Sequence, residues 1–327
     1  MAGSTAFGGA GWLSSAVRRA ILLPRSPSSL GADRALEAAY FVVARGRKSV
    51  SPHSSSARRR AIPGGHVYKT IIGSRIRSQL AYRTSFWLNA TTSIAVGVIE
   101  FVELYVILAN VPVFGGLNLR QAALVYALAN AAFALADLVF GQLDTMPSYL
   151  RLGRLEVMLV RPMPLMLQLI TSDFQLRRLG RAVISVVIIM VVLPGLDLQY
   201  TPATVYLLLI TPFTGAAIYA AFFVTAGGLQ FFLISGEEFT AAFVYGGGYA
   251  GHLPGSVLIA PLRVLFTFVF PATVTAYLPA LLIMGLPGAE FLPAWLGWFA
   301  PLFAAWAWLL ACLAWRAGIR RFTGAGG

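Results

Sequence analysis

The sequence DTMPSYLRLGRLEVMLVR, residues 144–161, is a basic, amphipathic segment that separates two long apolar runs. Pro147 suits the first turn of a helix, and apolar residues then recur at roughly helical spacing with charged residues between them. Pro162 and Pro164 follow at once and end the predicted helix. Such a helix either lies on the lipid surface or inserts into a groove on a soluble partner. The residues alone favour neither alternative.

The composition of the chain is that of a polytopic membrane protein. Hydrophobic residues make up 58% of the sequence, charged residues only 11%, and the mean hydropathy is +0.75, well outside the range of a soluble domain. The formal net charge is +13, but many of the basic residues precede residue 67 and the others cluster at the ends of apolar runs. Basic residues there set topology and contact anionic lipid headgroups. The charge therefore predicts membrane lipids as partners and no nucleic acid.

The first 66 residues differ from the remainder of the chain. They are rich in Ser, Gly and Arg, poor in acidic residues, and contain no apolar run long enough to span a bilayer. We predict two regions: a basic, disordered extension over residues 1–66 and a membrane domain over residues 67–327. An organelle transit peptide, or a start codon assigned too far upstream, would give the same composition in the extension.

Charge-poor runs in the membrane domain predict six spans, because a bilayer core about 30 Å thick needs about 20 helical residues. Basic residues before span one, between spans two and three, and after span six place these regions and both termini in the cytoplasm. The acidic pair Glu237–Glu238 fits this scheme least well. The prediction is an all-α membrane protein with six transmembrane helices over residues 84–111, 120–142, 180–196, 202–234, 258–286 and 293–315.

Particular residues are expected at the ends of these spans. Arg178 and Arg181, with Arg177, are expected to reach the lipid interface from the short third span, and Arg263 is expected to anchor the cytoplasmic end of span five. The Gly- and Pro-rich stretch 246–261 is predicted to be a loop before span five, and Pro271 and Pro279 are predicted to kink that span. The alternative is that this region is a gate that rearranges during transport.

The sequence lacks the motifs of the common catalytic sites. Its two lysines, Lys48 and Lys69, are not preceded by glycine, so there is no phosphate-binding loop of the G-x-x-x-x-G-K-[ST] type. The three histidines lie far apart, which argues against a metal site, and no nucleophile elbow is present. We therefore predict no catalytic residue, no metal ligand and no cofactor bound by this chain.

Three acidic residues fall within or near predicted spans, where an ionised side chain is costly. Glu100 and Glu103 are three residues apart and share a helical face, and Asp137 lies near the cytoplasmic end of span two. They are candidates for the lining of a translocation path or for contacts inside the helix bundle. The alternative is an interfacial position, which the spacing favours for Glu103 and Asp137.

Several motifs together resemble one family of transporters. They are SRIRSQLAYRTSFW at 74–87, YLRLGRLEVMLVRPMP at 149–164, TSDFQLRRLGR at 171–181 and PLRVLFTFVFPATVTAYLPALL at 261–282. Over residues 67–325 the chain resembles the permease subunits of ABC-2-type exporters, in particular a compact bacterial six-span branch. The stretch from Gly153 to Pro162 is the most specific part of the resemblance.

The resemblance implies a multi-pass protein of the cell membrane that binds two copies of a cytoplasmic P-loop ATPase and a second permease, identical or related. ATP and Mg would bind to the ATPase. It also implies that residues 74–87 form an amphipathic connecting helix and residues 146–161 a coupling helix. The residues predicted to couple the chain to the ATPase are Arg151, Gly153, Arg154, Leu155, Glu156, Met158, Arg161 and Pro162.

The predicted function is outward movement of a lipid, drug or other amphiphile by alternating access, driven by the separate ATPase. The alternative is an autonomous secondary transporter or channel, a class that usually shows internal repeats and paired ionisable groups near the midplane. A lipid-modifying membrane enzyme is a third hypothesis, which requires His, Asp or Ser side chains to converge at one membrane face.

Overall fold

The computed structural model describes residues 64–110, 113–172, 175–233, 236–289 and 292–322. Within these ranges the chain is helical and has no strand, and its two β-bridges are isolated. The predicted all-α class is therefore confirmed. Residues 1–63, which hold nearly all of the predicted extension, lie outside the described residues, and the first described helix begins at Gly64.

The helices are joined by short turns and are numbered here in chain order. The helices of the first half are α1 (Gly64–Ala81), α2 (Arg83–Asn110), α3 (Leu119–Phe140), α4 (Met146–Arg151), α5 (Arg154–Leu159), α6 (Leu165–Ser172) and α7 (Leu179–Val192). Those of the second half are α8 (Pro202–Leu229), α9 (Gly236–Thr240), α10 (Gly246–His252), α11 (Ala260–Val264), α12 (Tyr277–Met284) and α13 (Ala300–Arg321). Five-residue π-helical turns, Ala241–Tyr245 and Leu265–Val269, follow α9 and α11. Short 3₁₀ turns occupy Gly141–Thr145, Leu176–Arg178, Leu193–Gly195, Gly255–Val257 and Ala294–Phe299.

Four helical stretches of the described chain are long and apolar enough to cross a membrane. They are Arg83–Ile107, Leu119–Arg151, Pro202–Leu229 and Ala294–Arg321, and they coincide with predicted spans one, two, four and six. The third predicted span is the shorter apolar helix Leu179–Gly195, whose length agrees with the short apolar run in the sequence.

Helix α3 lies at the centre of the bundle. In its most apolar window 78% of the residues are buried, against 6% for α2, so α2 presents most of its surface outside the protomer. The α3 helix starts with a capping box, in which Asn118 Oδ1 accepts from the Gln121 backbone N–H and Gln121 Oε1 accepts from that of Asn118. It packs against α7 and α8, and α8 packs in turn against α13.

The segment 236–257 runs alongside α3 from one end to the other. Near its middle, the Tyr245 hydroxyl donates to Asp144 Oδ2 just beyond the C-terminal end of α3, at 2.6 Å. At its far end, Ser256 Oγ donates to the Gly115 carbonyl in the turn before α3. We refer to these two ends of the bundle as the Asp144 end and the Gly115 end.

The prediction that residues 246–261 form a loop before span five is therefore wrong. This stretch is helical through His252, and Gly247, Gly248 and Gly251 are packing sites: a Cβ on Gly248 would lie 3.0 Å from the Phe133 ring. Glycine lowers the mean hydropathy of a segment without adding a polar group. For this reason the hydropathy pattern did not identify this buried helix.

Residues 258–286 form a helical hairpin that enters the bundle from the Gly115 end, where the prediction placed a continuous fifth span. Helix α11 and its π-turn lead inward to Phe270, whose ring contacts Phe243 at a centroid distance of 5.0 Å. The chain then reverses through residues 270–276, and Thr275 Oγ1 donates to the Tyr219 hydroxyl oxygen at 3.3 Å. The helix ends at Val269, before Pro271, so the chain reverses where a kink in one span was predicted; Pro279 is accommodated in the first turn of α12.

Arg263 lies near the Gly115 end of the bundle, whereas the prediction placed it at the end opposite the loop that contains Gly115. Its Nη2 donates to the carbonyl oxygens of Ser256 and Leu258, both at 3.0 Å. The arginine therefore ties the start of the hairpin to the turn that precedes it. Such backbone partners cannot be identified from hydropathy, because they depend on how the chain folds back.

Candidate coupling segment and intramembrane polar cluster

The segment 146–161 forms two short helices at the Asp144 end of the bundle, where a single helix was predicted. Helix α4 ends at Arg151 and α5 begins at Arg154, with Gly153 between them at φ +64°. That left-handed conformation is accessible to glycine and strained for other residues. The reversal at Gly153 prevents the apolar residues from forming one continuous stripe, which is why the helical spacing in the sequence was misleading.

Helix α5 is fixed to the rest of the protomer by one buried side chain and one buried amide. Leu155 is fully buried, so it holds the segment in place from within the protomer. Gln168 on α6 donates through Nε2 to the carbonyl oxygens of Met158 (2.8 Å) and Met163 (2.9 Å). These bonds tie α6 to the end of α5, where the Met158 carbonyl also accepts from the Arg161 backbone N–H at 3.2 Å.

The outer face of the segment carries both charged and apolar groups. Arg151, Arg154, Glu156, Arg161 and Pro162 are exposed, and Met158 is partly buried. Four apolar side chains are also exposed: Leu152 (62%), Val157 (61%), Leu159 (45%) and Val160 (87%). An apolar patch surrounded by arginines is suited to docking in a groove on another protein.

Two of the three predicted intramembrane carboxylates form ion pairs inside the bundle. Asp137 Oδ1 lies 2.7 Å from Arg178 Nη1, which also donates to the Asp137 carbonyl oxygen at 2.5 Å. Glu100 Oε1 lies 3.4 Å from Arg181 Nη2. Glu103 is exposed on α2 and does not join this cluster.

These pairs overturn the expectation that Arg178 and Arg181 extend to the lipid interface. The Arg178 side chain is only 15% exposed and that of Arg181 25%, because both turn toward carboxylates on the neighbouring helices α3 and α2. The pairs therefore link the start of α7 to two other helices.

A polar cavity of about 200 Å³ adjoins both ion pairs. It is lined by Thr92, Ser93, Val96, Asp137, Arg178, Arg181 and Tyr245. Since Thr92 and Val96 are exposed on α2, the cavity opens at the surface of that helix. The arrangement offers hydroxyl and charged groups to a polar ligand, whereas the surrounding surface is apolar.

The sequence analysis missed two polar residues that lie inside the bundle, Asn130 and His252. Asn130, which is 1% exposed, lies in the middle of α3, and a polar amide inside an otherwise apolar run is a signal that could have identified it. His252 approaches Tyr126 at a ring-centroid distance of 5.1 Å. No sequence signal placed His252 there, because its position depends on the path of residues 236–257.

The described residues contain no group of three or more His, Cys, Asp and Glu side chains placed to hold a metal ion. Asp137 and Glu100 each pair with an arginine, and Asp144 accepts a hydrogen bond from a tyrosine. The geometry of the cluster is therefore that of paired charges and hydrogen bonds.

Comparison with known families gives one match that covers most of the chain. The model for the ABC-2 family transporter protein matches residues 94–326, from within α2 to beyond the end of α13. No curated protein and no solved structure matches the chain. Members of the matched family are membrane components of transport systems and generally work with an ATPase partner. The chain belongs to the ABC-2 family of transporter proteins and is a membrane-embedded transport permease.

Proposed function

We propose that this chain is the permease subunit of an ATP-driven exporter in the cell membrane. Two copies of a cytoplasmic P-loop ATPase would bind ATP and Mg, and the permease would pair with a second permease, identical or related. Together they would move a lipid, drug or other amphiphile outward by alternating access. The chain itself would carry out no covalent chemistry.

The observation that carries this proposal is the construction of the 146–161 segment. Its outer face exposes Arg154, Arg161 and an apolar patch, while the fully buried Leu155 holds α5 against the bundle. A partner that grips the outer face would therefore move a rigidly anchored element. A helix that merely rested on lipid would have no need of this internal attachment.

Three connections would carry such a motion into the bundle. The segment is continuous with α3 through Gly141–Thr145, and the Asp137–Arg178 pair joins that end of α3 to the turn before α7. The Tyr245–Asp144 hydrogen bond links the same region to the helix that runs toward the Gly115 end. A displacement of α5 would reach three membrane-embedded helices, as alternating access requires.

An autonomous secondary transporter or channel is the second candidate. The observation in its favour is the presence of two ion pairs within the bundle, Glu100–Arg181 and Asp137–Arg178, since transporters of that class place paired ionisable groups in the membrane. The two candidates differ in whether a separate ATPase is needed, so a test of partners separates them.

The test is a pull-down of the tagged chain from detergent-solubilised membranes of its host, followed by mass spectrometry and native-mass determination. Recovery of a soluble P-loop ATPase in two copies, with two permease subunits, is the expected result. Recovery of the chain alone, under conditions that preserve a known ABC complex, would favour the autonomous transporter.

Charge reversal of the exposed arginines tests the docking face directly. Arg154→Glu combined with Arg161→Glu is expected to weaken ATPase association by at least about tenfold, because it opposes the charge that the partner groove would complement. Arg320→Glu, at another exposed arginine near the end of α13, is the matched control and should leave association unchanged. Equal association of both variants with native protein would refute the assignment of the segment.

A further inference from the structure

Four buried polar atoms near the middle of the bundle have no hydrogen-bond partner among the described residues. They are Nδ2 and Oδ1 of Asn130, the hydroxyl oxygen of Tyr126 and Nε2 of His252. Asn130 is 1% exposed and Tyr126 3%. Buried polar groups are almost always satisfied, so this concentration of unsatisfied atoms indicates a ligand that supplies the missing bonds.

These atoms lie far from either end of the helix that carries most of them. Asn130 is eleven residues from Leu119, the first residue of α3, which is about 16 Å along the helix axis, and it is a similar distance from Phe140. At this depth along a membrane-spanning helix the surroundings are protein and lipid. A partner must therefore enter through the protein or be retained within it.

Asn130 and His252 line a cavity of about 30 Å³. A water molecule needs about 10–15 Å³ of this space, so the cavity has room for one or two waters or for a single hydroxyl group. Arg181 and Tyr245 line this cavity as well as the cavity of about 200 Å³ that opens at α2. The two cavities therefore adjoin each other at these two side chains.

The chemistry of the site selects for an uncharged ligand that both donates and accepts. The Asn130 amide offers a donor and an acceptor side by side, and a tyrosine hydroxyl does both. The charged groups at the rim, Glu100 and Arg181, neutralise each other, so neither an anion nor a cation gains a net electrostatic advantage. A hydroxyl group meets these requirements.

We propose that Tyr126, Asn130 and His252 form a buried binding site for an uncharged hydroxyl group, which is supplied by water or by the headgroup of a transported amphiphile. A headgroup in the larger cavity would extend one hydroxyl into this site. The site itself does not depend on the proposed exporter function; only the headgroup as a source of the hydroxyl rests on it.

Radiolytic hydroxyl-radical labelling of the full-length protein in lipid nanodiscs tests the proposal, because radicals formed from bound water oxidise the side chains beside it. Tyr126 and His252 should be labelled several-fold faster than Tyr219, which is fully buried but hydrogen-bonded to Thr275. Tyr82, which is 73% exposed, reports the radical dose. Labelling of Tyr126 and His252 as slow as that of Tyr219 would overturn the proposal.

Two variants at similar burial make the test specific. Asn130→Leu removes the amide but keeps the same number and branching of side-chain heavy atoms, and it is expected to reduce the labelling of His252 several-fold. Thr211→Val is the control, because the buried Thr211 hydroxyl donates to Leu207 within its own helix and should not affect the site. If the Asn130 variant does not fold, the comparison of native Tyr126 and His252 with Tyr219 still decides the question.

Three amphiphiles with the same alkyl chain distinguish the source of the hydroxyl: octyl glucoside, octyltrimethylammonium and octyl sulfate. Protection of His252 by octyl glucoside alone would show that a headgroup hydroxyl enters the site. Protection by none of them would assign the site to water, and protection by a charged amphiphile alone would refute an uncharged ligand. These outcomes are independent of ATPase recovery, so failure of the exporter proposal remains distinguishable.

Discussion

The Asp137–Arg178 pair provides the sharpest test of how the bundle is held together at the base of the 146–161 segment. Arg178 Nη1 donates both to the carboxylate, at 2.7 Å, and to the carbonyl of the same residue, at 2.5 Å. At 2.7 Å, and with an effective dielectric constant of about 20, the attraction is about 6 kcal/mol. Much of it offsets the cost of removing two charges from water, since the side chains are only 15% and 9% exposed.

Substitution of Arg178 and substitution of Asp137 should lower the free energy of unfolding by different amounts. Arg178→Met leaves the Asp137 carboxylate buried without its arginine and should lower the free energy of unfolding by about 3 kcal/mol. Asp137→Asn retains the backbone carbonyl as a partner for the arginine, so its cost should be smaller, about 2 kcal/mol. The double variant, Arg178→Met with Asp137→Asn, should be no less stable than Arg178→Met alone, because the single substitution has already removed the ion pair.

Gly141 offers an independent way to break the same pair. A Cβ at this position would overlap Arg178 Nη1 and Asp137 Oδ1, while the backbone, at φ −60°, imposes no strain of its own on alanine. Gly141→Ala should therefore destabilise the native protein by about as much as Asp137→Asn, roughly 2 kcal/mol. In the Arg178→Met background the added methyl should cost less, because only its overlap with Asp137 Oδ1 remains.

The assay is equilibrium unfolding by SDS in mixed micelles, followed by the fluorescence of the seven tryptophans. Arg316→Met, at an exposed arginine on α13, controls for loss of positive charge. Additive effects of Arg178→Met and Asp137→Asn would refute the ion pair as a stabilising unit. An Asp137→Asn variant within about 0.5 kcal/mol of native stability would do the same.

Two glycine substitutions give the remaining predictions. A Cβ on Gly228 would lie 2.7 Å from the backbone of Ala314, so Gly228→Ala should force α8 and α13 apart and lower the free energy of unfolding in SDS by about 2 kcal/mol. Gly246→Ala is the control, because Gly246 has open space around it. Equal stability of the two variants would contradict the prediction. Gly153→Ala should reorient α5, because φ +64° costs alanine about 1 kcal/mol, and should therefore reduce ATPase capture in the pull-down. Gly73→Ala, which meets nothing within 4 Å, should not change capture, and unaltered capture by the Gly153 variant would show that the turn is dispensable.

Much of the fold could be predicted from length and charge alone. Four long apolar helices lie where the hydropathy pattern predicted them. A long apolar run predicts such a helix whether its side chains contact other helices or lie on the outer surface of the bundle. The break at Pro271 was also predictable, since proline removes a helical donor at any depth. The arginine-rich segment after α3 was identified for the same kind of reason: a run of charges interrupts the apolar pattern between two spans.

The errors came from residues whose structure depends on distant parts of the chain. Gly153 reverses the 146–161 segment by adopting a left-handed conformation, and no local rule requires a glycine in a helical pattern to do so. Arg178 and Arg181 fold inward because carboxylates on α3 and α2 meet them. The residue pattern of one helix does not show which charged residues of other helices lie opposite it.

The sequence by itself determined that this is a membrane protein, that it is helical, that it belongs to the ABC-2 family and where its basic connecting segment lies. These properties follow from composition and from patterns within about twenty residues. Only the tertiary structure decided the path of residues 236–286, the ion pairs of Glu100 and Asp137, and the meeting of Asn130 with His252. Glycine contacts, buried partners and chain reversals arise between helices remote in sequence, so hydropathy within any one helix cannot specify them.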